Sequence, residues 1–355
     1  MKWNKNHLIF ALLLIAVVGF SIMKVQDAAF IKSQYTTVSI RFKTEGVVEE
    51  DIRKALDKEK DKGGKFIPSI TAWTQLEEAE VRNKNLNRSR KVPIQIVAGD
   101  MSLTAPMTLC YGNYLYQSDS KGCILDRDTA YHLYGTEDAV GNILSYDKQE
   151  YHIRGVVKSS RPLLIIGGEA SMVYSNLELQ YPKKQQEMGE VLAESFLSGN
   201  GFTQDYVMND GYFYGSLIYS LLNLPLWLFY SILNIIILRY LWKMRSGIRP
   251  YKLSLYTIIA IICMIGYGAI LYQFTGNLFF IPSKSMPTKF SDFDFWRELS
   301  LKTREHLQQL RYMVPNAKDV FLEEELSKLP LNLAVMVLLY LLLFIHARTW
   351  HKKED

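Results

Sequence analysis

The residues that most often do chemistry in proteins are few and scattered in this chain. Six histidines lie far apart: His7, His132, His152, His306, His346 and His351. Two pairs of acidic residues are each separated by a single position: Asp126/Asp128 and Asp292/Asp294. Such carboxylates could bind a cation, yet an Asp before a helix or in a turn usually caps backbone N–H groups. We therefore predict no metal site, and we interpret the histidines as residues of the surface or of strand edges.

Motifs for nucleotide binding and hydrolysis are absent from the sequence. A phosphate-binding loop requires G-x-x-x-x-G-K-[ST], and the nearest text, "KGGKF" at 62–66, lacks the leading glycine and the hydroxyl. The serine-hydrolase turn G-x-S-x-G and the zinc-protease motif H-E-x-x-H are missing as well. The sequence thus predicts neither catalytic residues nor a bound cofactor, so we expect no enzyme.

Two of the three cysteines flank the segment "YGNYLYQSDSKG". A hairpin could bring Cys110 and Cys123 together as a disulfide in an oxidising compartment. Two separate buried thiols are the alternative, and the sequence does not choose between them. Cys263 lies in an apolar block and is interpreted as a packing residue. We do not expect zinc here, because no nearby histidine or further cysteine completes a tetrahedral set.

The segments described so far are connected by four apolar blocks, at residues 8–23, 216–238, 253–274 and 331–347. Their lengths approach the ~20 residues that a helix needs to cross a bilayer. The first block also fits a signal peptide, but "KVQDAAF" after it is a poor cleavage site, which favours an uncleaved helix. No block has an ionisable residue near its centre, which argues against an ion-coupled transporter.

Charge predicts the orientation of these helices. Residues 239–252 carry five basic residues and no acid, and the two ends of the chain are also basic. Residues 25–212 carry 22 basic against 26 acidic residues, and residues 276–329 carry 8 of each. Because basic segments stay on the cytoplasmic side, both termini should lie inside. The net charge of +5 then reflects topology rather than nucleic-acid binding.

The fold class predicted is a polytopic α-helical membrane protein, with four transmembrane helices and an inserted extracytoplasmic α+β domain. The predicted divisions are 1–24 for the first helix, 25–212 for the domain, 213–275 for two helices, 276–329 for an outer loop with an amphipathic helix, and 330–355 for the last helix. Alternating apolar residues predict strands at 36–42 and 91–100. A helix near 183–200 is interpreted as a stalk toward the membrane, or else as a helix that packs on the domain.

One stretch resembles a known family. "GCILDRDTAYHLYGTEDAVGNILSYDKQEYHIRGVVK" is similar to the closing part of the periplasmic core domain of MacB-type, FtsX-like ABC permeases. The matching features are Leu133, Tyr134 and Gly135, Glu137 and Asp138, Val140 and Gly141, and Gly155, Val156 and Val157. The family usually has Phe at the position of Tyr134. "ITAWTQLEEAEV" and "VPIQIVAGDMSL" resemble earlier strands of the same domain, and the order of helices and domain agrees with the family.

The resemblance implies a permease subunit of the mechanotransmission type in a bacterial cytoplasmic membrane. Two permease subunits, identical or different, would pair, and a cytoplasmic ABC ATPase dimer carrying the ATP would drive them. The outcome would be export or extraction of a peptide, an antibiotic or a lipid, with an extracytoplasmic accessory protein as a further partner. The inner loop "RYLWKMRSGIRPYK" is shorter than the family's and lacks its acidic residue. This departure favours the alternative, a membrane-anchored binding or sensor module without ATPase coupling.

Two surfaces are candidates for partner contacts. The first is the inner loop, with Trp242, Lys243, Met244, Arg245, Gly247 and Arg249. Its basic residues are explained by topology alone, whereas Trp242 and Met244 are not, and we expect these two to touch an ATPase. The second is an aromatic segment with Phe290, Phe293, Phe295 and Trp296. An anchor at the headgroup level of the bilayer explains these aromatics equally well.

Overall fold

The structure, a computed structural model, describes residues 5–104, 108–116, 119–159, 161–244, 250–276, 289 and 291–354. The chain forms two compact units. The helical unit comprises Met1–Ser33, Gly215–Pro282 and Leu326–Asp355. The α+β unit comprises Gln34–Tyr214 and Ser283–Glu325.

The helices of the described residues are α1 (Lys5–Gln34), α2 (Glu49–Asp61), α3 (Arg127–Tyr134), α4 (Gly189–Gly199), α5 (Gly211–Met244), α6 (Pro250–Thr275), α7 (Phe293–Arg311) and α8 (Ala317–Glu354). Four of them, α1, α5, α6 and α8, are long and apolar enough to cross a membrane. Many of their large apolar side chains are exposed, Ile262 and Ile265 among them, as expected for helices that meet lipid rather than water. The four predicted apolar blocks therefore each form a long helix.

Two helix boundaries differ from the prediction. α1 continues to Gln34 instead of ending near residue 24, and α8 begins at Ala317 instead of near residue 330. The additional turns of both helices contain charged residues. The prediction missed them because it followed the apolar blocks, which end where charged residues begin. α8 even passes through Pro330 without a break.

The described part of the α+β unit contains twelve strands: β1 (Thr37–Phe42), β2 (Val47–Val48), β3 (Ser69–Asn83), β4 (Arg88–Ala98), β5 (Leu109–Gly112), β6 (Gly122–Asp126), β7 (Ile143–Tyr146), β8 (Gln149–Val157), β9 (Leu164–Gly167), β10 (Val173–Tyr174), β11 (Asn176–Gln180) and β12 (Tyr206–Asp210). The main sheet runs in the order β12-β1-β11-β3-β4-β9-β6-β8-β5, with β7 beside β3 and β8. β2 and β10 form a separate pair. Most neighbours are antiparallel, but β4–β9 and β6–β8 are parallel.

Both faces of the sheet are buried. On one face Val38, Ile40 and Phe42 of β1 pack in a core with residues of α2, α3 and α4. On the other face Trp73, Val97 and Ile165 pack with Met101, from a 3-10 turn at Met101–Leu103, and with Ala317, the first residue of α8. The alternation of side chains along each strand supplies both faces. The α+β architecture agrees with the prediction.

The stretch that carries the family resemblance forms β6, α3, β7 and β8. Asp126 caps α3 by accepting a hydrogen bond from the Thr129 backbone N–H at 2.9 Å. Gly135 ends the helix with φ at +77°, a conformation that suits glycine at this position. Asp147 and Lys148, both with positive φ, form the two-residue turn between β7 and β8. Local cap and turn residues therefore set the boundaries of α3 and of the β7–β8 hairpin.

The segment near 183–200 is not one long helix. It forms a 3-10 turn at Lys183–Met188 followed by α4. Ala193, Phe196 and Leu197 of α4 are buried in the core of the same unit, while Met188 and Val191 are exposed. β12 then separates α4 from α5. The alternative of a packing helix thus describes α4, and a role as a stalk toward the membrane stays a prediction.

Candidate coupling site

The strands next to the helices α1 and α5 are direct neighbours in the sheet. β1 begins at Thr37, shortly after α1 ends at Gln34, and β12 ends at Asp210, immediately before α5 begins. The two strands pair in antiparallel register from Val38↔Asp210 to Phe42↔Tyr206. Asp210 also accepts a hydrogen bond from the Phe213 backbone N–H at 3.1 Å, which caps the first turn of α5. A displacement of either helix would therefore act on one strand pair.

A cluster of charged residues lies buried on the same side of β1 and β11, around Glu178. This side chain is only 1% exposed. Its oxygens accept hydrogen bonds from the hydroxyls of Thr37 at 2.6 Å and Ser39 at 2.7 Å. The indole N–H of Trp73 lies 3.4 Å from Oε1. A buried carboxylate is costly unless it is paired and hydrogen-bonded, and these donors meet part of that requirement.

Arg41 on β1 supplies one of the two cations near Glu178. It is 2% exposed, and its Nη2 lies 3.8 Å from Glu178 Oε1 and 2.8 Å from Asp319 Oδ2. The guanidinium also donates to Ser39 Oγ at 2.8 Å and to the Val314 carbonyl at 3.3 Å. It stacks over the Trp73 ring at 4.3 Å, a cation–π contact.

Lys318, in the first turn of α8, supplies the second cation. Its Nζ donates to Thr37 Oγ1 at 2.7 Å and to the Leu103 carbonyl at 3.5 Å, and lies 3.7 Å from Glu178 Oε2. The hydroxyl of Tyr35 donates to the Lys318 carbonyl at 2.7 Å. Burial, together with nearby carboxylates, holds the pKa of Tyr35 well above its ordinary value, so this hydroxyl stays a donor.

The start of α8 is closed by a reciprocal cap. The Asp319 backbone N–H donates to Asn316 Oδ1 at 2.8 Å, and the Asn316 backbone N–H donates to Asp319 Oδ2 at 2.9 Å. This is a capping box built from Asn and Asp. The Asp319 carboxylate thus caps the start of α8 and also pairs with Arg41. We name the four charged residues Arg41, Glu178, Lys318 and Asp319 the clasp, and their formal charges sum to zero.

The clasp holds the start of α8 against β1 and β11. The sequence interpretation missed it. A usable signal existed, because "TVSIRF" and "NLELQ" each place one charged residue inside an otherwise buried strand. The spacing N-x-x-D before an apolar run also marks a helix start upstream of the apolar block.

The predicted inner-loop residues are only partly described. Trp242 lies near the end of α5 and is 77% exposed. Lys243 and Met244 close the same helix. Arg245, Gly247 and Arg249 lie outside the described residues. The exposure of Trp242 is compatible with a contact to a partner, and that contact stays a prediction.

The disulfide between Cys110 and Cys123 is not formed. Both residues are free thiols. Cys110 belongs to β5 and Cys123 to β6, and β8 lies between these strands. Two strand spacings amount to roughly 9–10 Å, beyond the separation that a disulfide spans. The two cysteines do not meet because the flanking segment does not form a simple hairpin. The alternative of two separate thiols describes Cys123, which is buried, and in part Cys110, which is half-buried.

Three of the four predicted aromatic residues come together at the first turn of α7. Phe293 is 81% exposed, and the rings of Phe295 and Trp296 meet edge to face at 5.5 Å. Asp292 caps this turn by accepting from the Phe295 backbone N–H at 3.0 Å. Phe290 lies outside the described residues. The first residues of α7 therefore present an exposed aromatic ring, and binding there stays a prediction.

The acidic pairs considered as cation ligands act as helix caps where the structure shows a role. Asp126 caps α3, and Asp292 caps α7. Among the described residues, no three His, Cys, Asp or Glu side chains gather as a metal site would require.

Two of the solved structures that this chain resembles are domains of transporters. No family model and no curated protein matches the chain. The periplasmic region of MacB from Actinobacillus actinomycetemcomitans is 15% identical with a TM-score of 0.38, covering 50% of this chain and 89% of that one. The extracellular domain of the noncanonic ABC-type transporter YknZ from Gram-positive bacteria is also 15% identical with a TM-score of 0.38, covering 49% of this chain and 99% of that one. The chain is similar, over about half of its length, to the periplasmic region of the one transporter and the extracellular domain of the other.

Proposed function

We propose that this chain is the permease subunit of an ABC transporter of the mechanotransmission type. The observation that carries the proposal is the strand pair β1–β12, which continues from α1 on one side and into α5 on the other. Movement of these helices would be passed to the sheet through covalent bonds and a strand ladder. The family resemblance of residues 122–158 supports the same function.

The membrane topology follows from the apolar helices and from charge. α1, α5, α6 and α8 cross the bacterial cytoplasmic membrane, and the α+β unit lies outside. The basic segment 239–252 and both termini lie in the cytoplasm, as the distribution of Lys and Arg favours. This arrangement places the clasp in the extracytoplasmic unit and Trp242 at the cytoplasmic side.

The energy source is a separate subunit. The sequence has no phosphate-binding loop, so ATP is bound by a cytoplasmic ABC ATPase dimer that contacts the segment 239–252. Two permease subunits pair in the membrane, and an extracytoplasmic accessory protein is a further partner. Closure of the ATPase dimer moves α1 and α5 and thereby the outer unit, which exports or extracts a peptide, an antibiotic or a lipid.

The test is recovery of an ATP-hydrolysing complex. The affinity-tagged full chain is crosslinked in its native cells, purified in detergent and assayed for ATP hydrolysis. The double variant Arg245→Glu/Arg249→Glu should lose the partner and the hydrolysis. Lys352→Glu/Lys353→Glu makes the same charge change in the basic tail and should retain both.

Two outcomes of this experiment would contradict the proposal. If the crosslinked wild-type chain carries no nucleotide-hydrolysing partner, the chain is a membrane-anchored binding or sensor module. If the tail variant loses the partner as fully as the loop variant does, net charge and not the loop governs the association.

A further inference from the structure

The clasp joins two pieces of the α+β unit that are far apart in the chain. One piece is the sheet, with Arg41 on β1 and Glu178 on β11, and the other is the segment 314–325 that begins α8. We propose that the clasp opens reversibly, so that the first turns of α8 leave the sheet and return to it while the rest of the unit stays folded. This inference concerns the outer unit alone and stands or falls independently of the proposed function.

The first argument is charge balance on each side of the contact. The sheet carries one cation and one anion, Arg41 and Glu178, which lie 3.8 Å apart. The helix start likewise carries one of each, Lys318 and Asp319, which are adjacent in the chain. Opening therefore separates two groups of clasp residues that each have no net charge, although Glu323, Glu324 and Glu325 make the segment 314–325 negative as a whole. An interface with two cations on one side and two anions on the other would resist separation much more strongly.

The second argument is that each side keeps its own hydrogen bonds. On the sheet, Glu178 retains the hydroxyls of Thr37 and Ser39, and Arg41 retains Ser39 and the Trp73 ring. On the helix, the capping box between Asn316 and Asp319 lies wholly within the departing segment. The end of α8 thus stays capped in the open state, and the helix need not fray when it leaves.

The third argument is the composition of the contact. The bonds that opening breaks are polar. They join Arg41 to Asp319 and to the Val314 carbonyl, Lys318 to Thr37, to Glu178 and to the Leu103 carbonyl, Asn316 to Glu178, Tyr35 to the Lys318 carbonyl, and Arg161 to Glu323. Water replaces partners of this kind, so the net contribution of such a bond is small. A buried ion network also stabilises a contact less than apolar residues of similar size do. Ala317 is the one small apolar residue of the helix start that joins the Trp73 cluster.

A buried amide on the Trp73 face of the sheet lacks hydrogen-bond partners among the described residues. Gln95 lies on β4 two positions from Val97 and therefore points to the same side of the sheet. It is fully buried, and neither atom of its amide has a hydrogen-bond partner among the described residues. Unsatisfied amide groups lower the stability of a closed state, and water that enters on opening would satisfy them.

The test measures the rate at which a thiol in the contact becomes accessible. In the full chain, Cys110 and Cys263 are replaced by Ser, and Ala317→Cys introduces a thiol that the closed clasp buries. Cys123, fully buried in the main sheet, remains as an internal reference for global unfolding. Maleimide modification of both thiols is followed by mass spectrometry in native buffer. We expect Cys at 317 to react about 100-fold faster than Cys123 or more, because local opening precedes global unfolding.

Control variants separate opening from simple exposure. Ala130→Cys places a thiol at a buried alanine of α3 and should react as slowly as Cys123. Asp319→Asn, which weakens the bond to Arg41, should accelerate modification at 317 several-fold. Glu150→Gln removes an exposed ion pair with Lys84 far from the clasp and should leave the rate unchanged.

Two outcomes overturn the inference. Modification at 317 as slow as at Cys123 would mean that the clasp stays closed until the whole unit unfolds. Fast modification that Asp319→Asn leaves unaltered would mean that position 317 is simply reachable in the closed state. Because neither readout involves ATP, a negative result here does not bear on the proposed ATPase partner.

Discussion

Arg41 and Asp319 are 278 positions apart in the chain, yet their side chains form an ion pair of 2.8 Å between Nη2 and Oδ2. Arg41 belongs to the strand that follows α1, and Asp319 belongs to the first turn of α8. The pair ties the segment 314–325 to the sheet that residues 37–210 form. In the proposed transporter, α8 therefore acts on the same strand as α1 for as long as the clasp is closed.

Replacement of Glu178 by Gln should strongly destabilise the α+β unit. The variant leaves two buried cations, Arg41 and Lys318, with Asp319 as the remaining carboxylate of the clasp. Loss of one partner from a buried ion pair costs about 3–5 kcal/mol, and we expect a loss of that order in the free energy of unfolding. Chemical denaturation of the purified full chain measures it.

The matched control for this change is Glu150→Gln. Glu150 pairs with Lys84 at 2.8 Å, but both side chains are exposed, so water replaces the lost partner and no measurable change is expected. Equal effects of the two variants would show that the burial of Glu178 contributes nothing to the stability.

Gly135→Ala should destabilise the stretch that carries the family resemblance. Gly135 ends α3 with φ at +77°, and a left-handed conformation costs a residue with a Cβ about 1–2 kcal/mol. The midpoint of thermal unfolding should fall accordingly. Gly199→Ala at the exposed end of α4 is the control, because nothing lies within 4 Å of its added Cβ and no left-handed backbone is involved. A destabilisation by Gly199→Ala as large as that by Gly135→Ala would contradict this explanation.

Asp126→Asn should change how stability depends on pH. Burial raises the pKa of the Asp126 carboxyl above its ordinary value of 3.8, against the opposing effect of its hydrogen bonds from Thr129 and Leu163. The folded state therefore binds a proton more readily than the unfolded state just above pH 3.8. The stabilisation that Asp126 contributes is fully present below the pKa of the unfolded state. It is lost as pH rises through the raised pKa of the folded state.

The difference in unfolding free energy between wild type and Asp126→Asn should thus decrease as pH rises through that window. Denaturation at a series of pH values, from about 4 to about 7, measures this difference. Asp128→Asn, an exposed change in the same helix turn, controls for the loss of one negative charge. A difference that grows with pH would show that the hydrogen bonds of Asp126, and not its burial, dominate its pKa.

The proposed topology predicts opposite accessibility for two introduced thiols. Ser120→Cys lies in the α+β unit at an exposed position, and Ser246→Cys lies in the basic segment 239–252. A membrane-impermeant maleimide added to intact cells with a permeable outer envelope should modify the thiol at 120 and spare the one at 246. Lysed cells should show modification at both. Modification at 246 in intact cells would reverse the proposed orientation.

Much of the fold could be predicted because short sequence patterns specify the individual helices and strands. The apolar blocks predict α1, α5, α6 and α8, since a bilayer demands long runs of apolar residues. Alternation predicts β1 and β4. Asp126 and Gly135 mark the two ends of α3, because caps depend on residues within one turn of the helix end.

The pairing of the cysteines and the packing of α4 depend instead on contacts between distant parts of the chain. Whether Cys110 meets Cys123 depends on β8, which inserts between their strands although it lies later in the chain. Whether α4 extends toward the membrane depends on what its apolar face meets, and Phe196 meets the core of its own unit. Neither outcome is encoded within a window of neighbouring residues.

By itself the sequence determined the number of long apolar helices, the α+β class of the inserted unit and the absence of a nucleotide-binding motif. Only the tertiary structure decided that α8 reaches the sheet and that Arg41, Glu178, Lys318 and Asp319 meet there. The reason is that β1 pairs with β11, more than 130 positions later, and both then receive a segment from near the end of the chain. Periodicity reports which side of an element is buried, whereas the partner that buries it is chosen by strand order and packing over the whole unit.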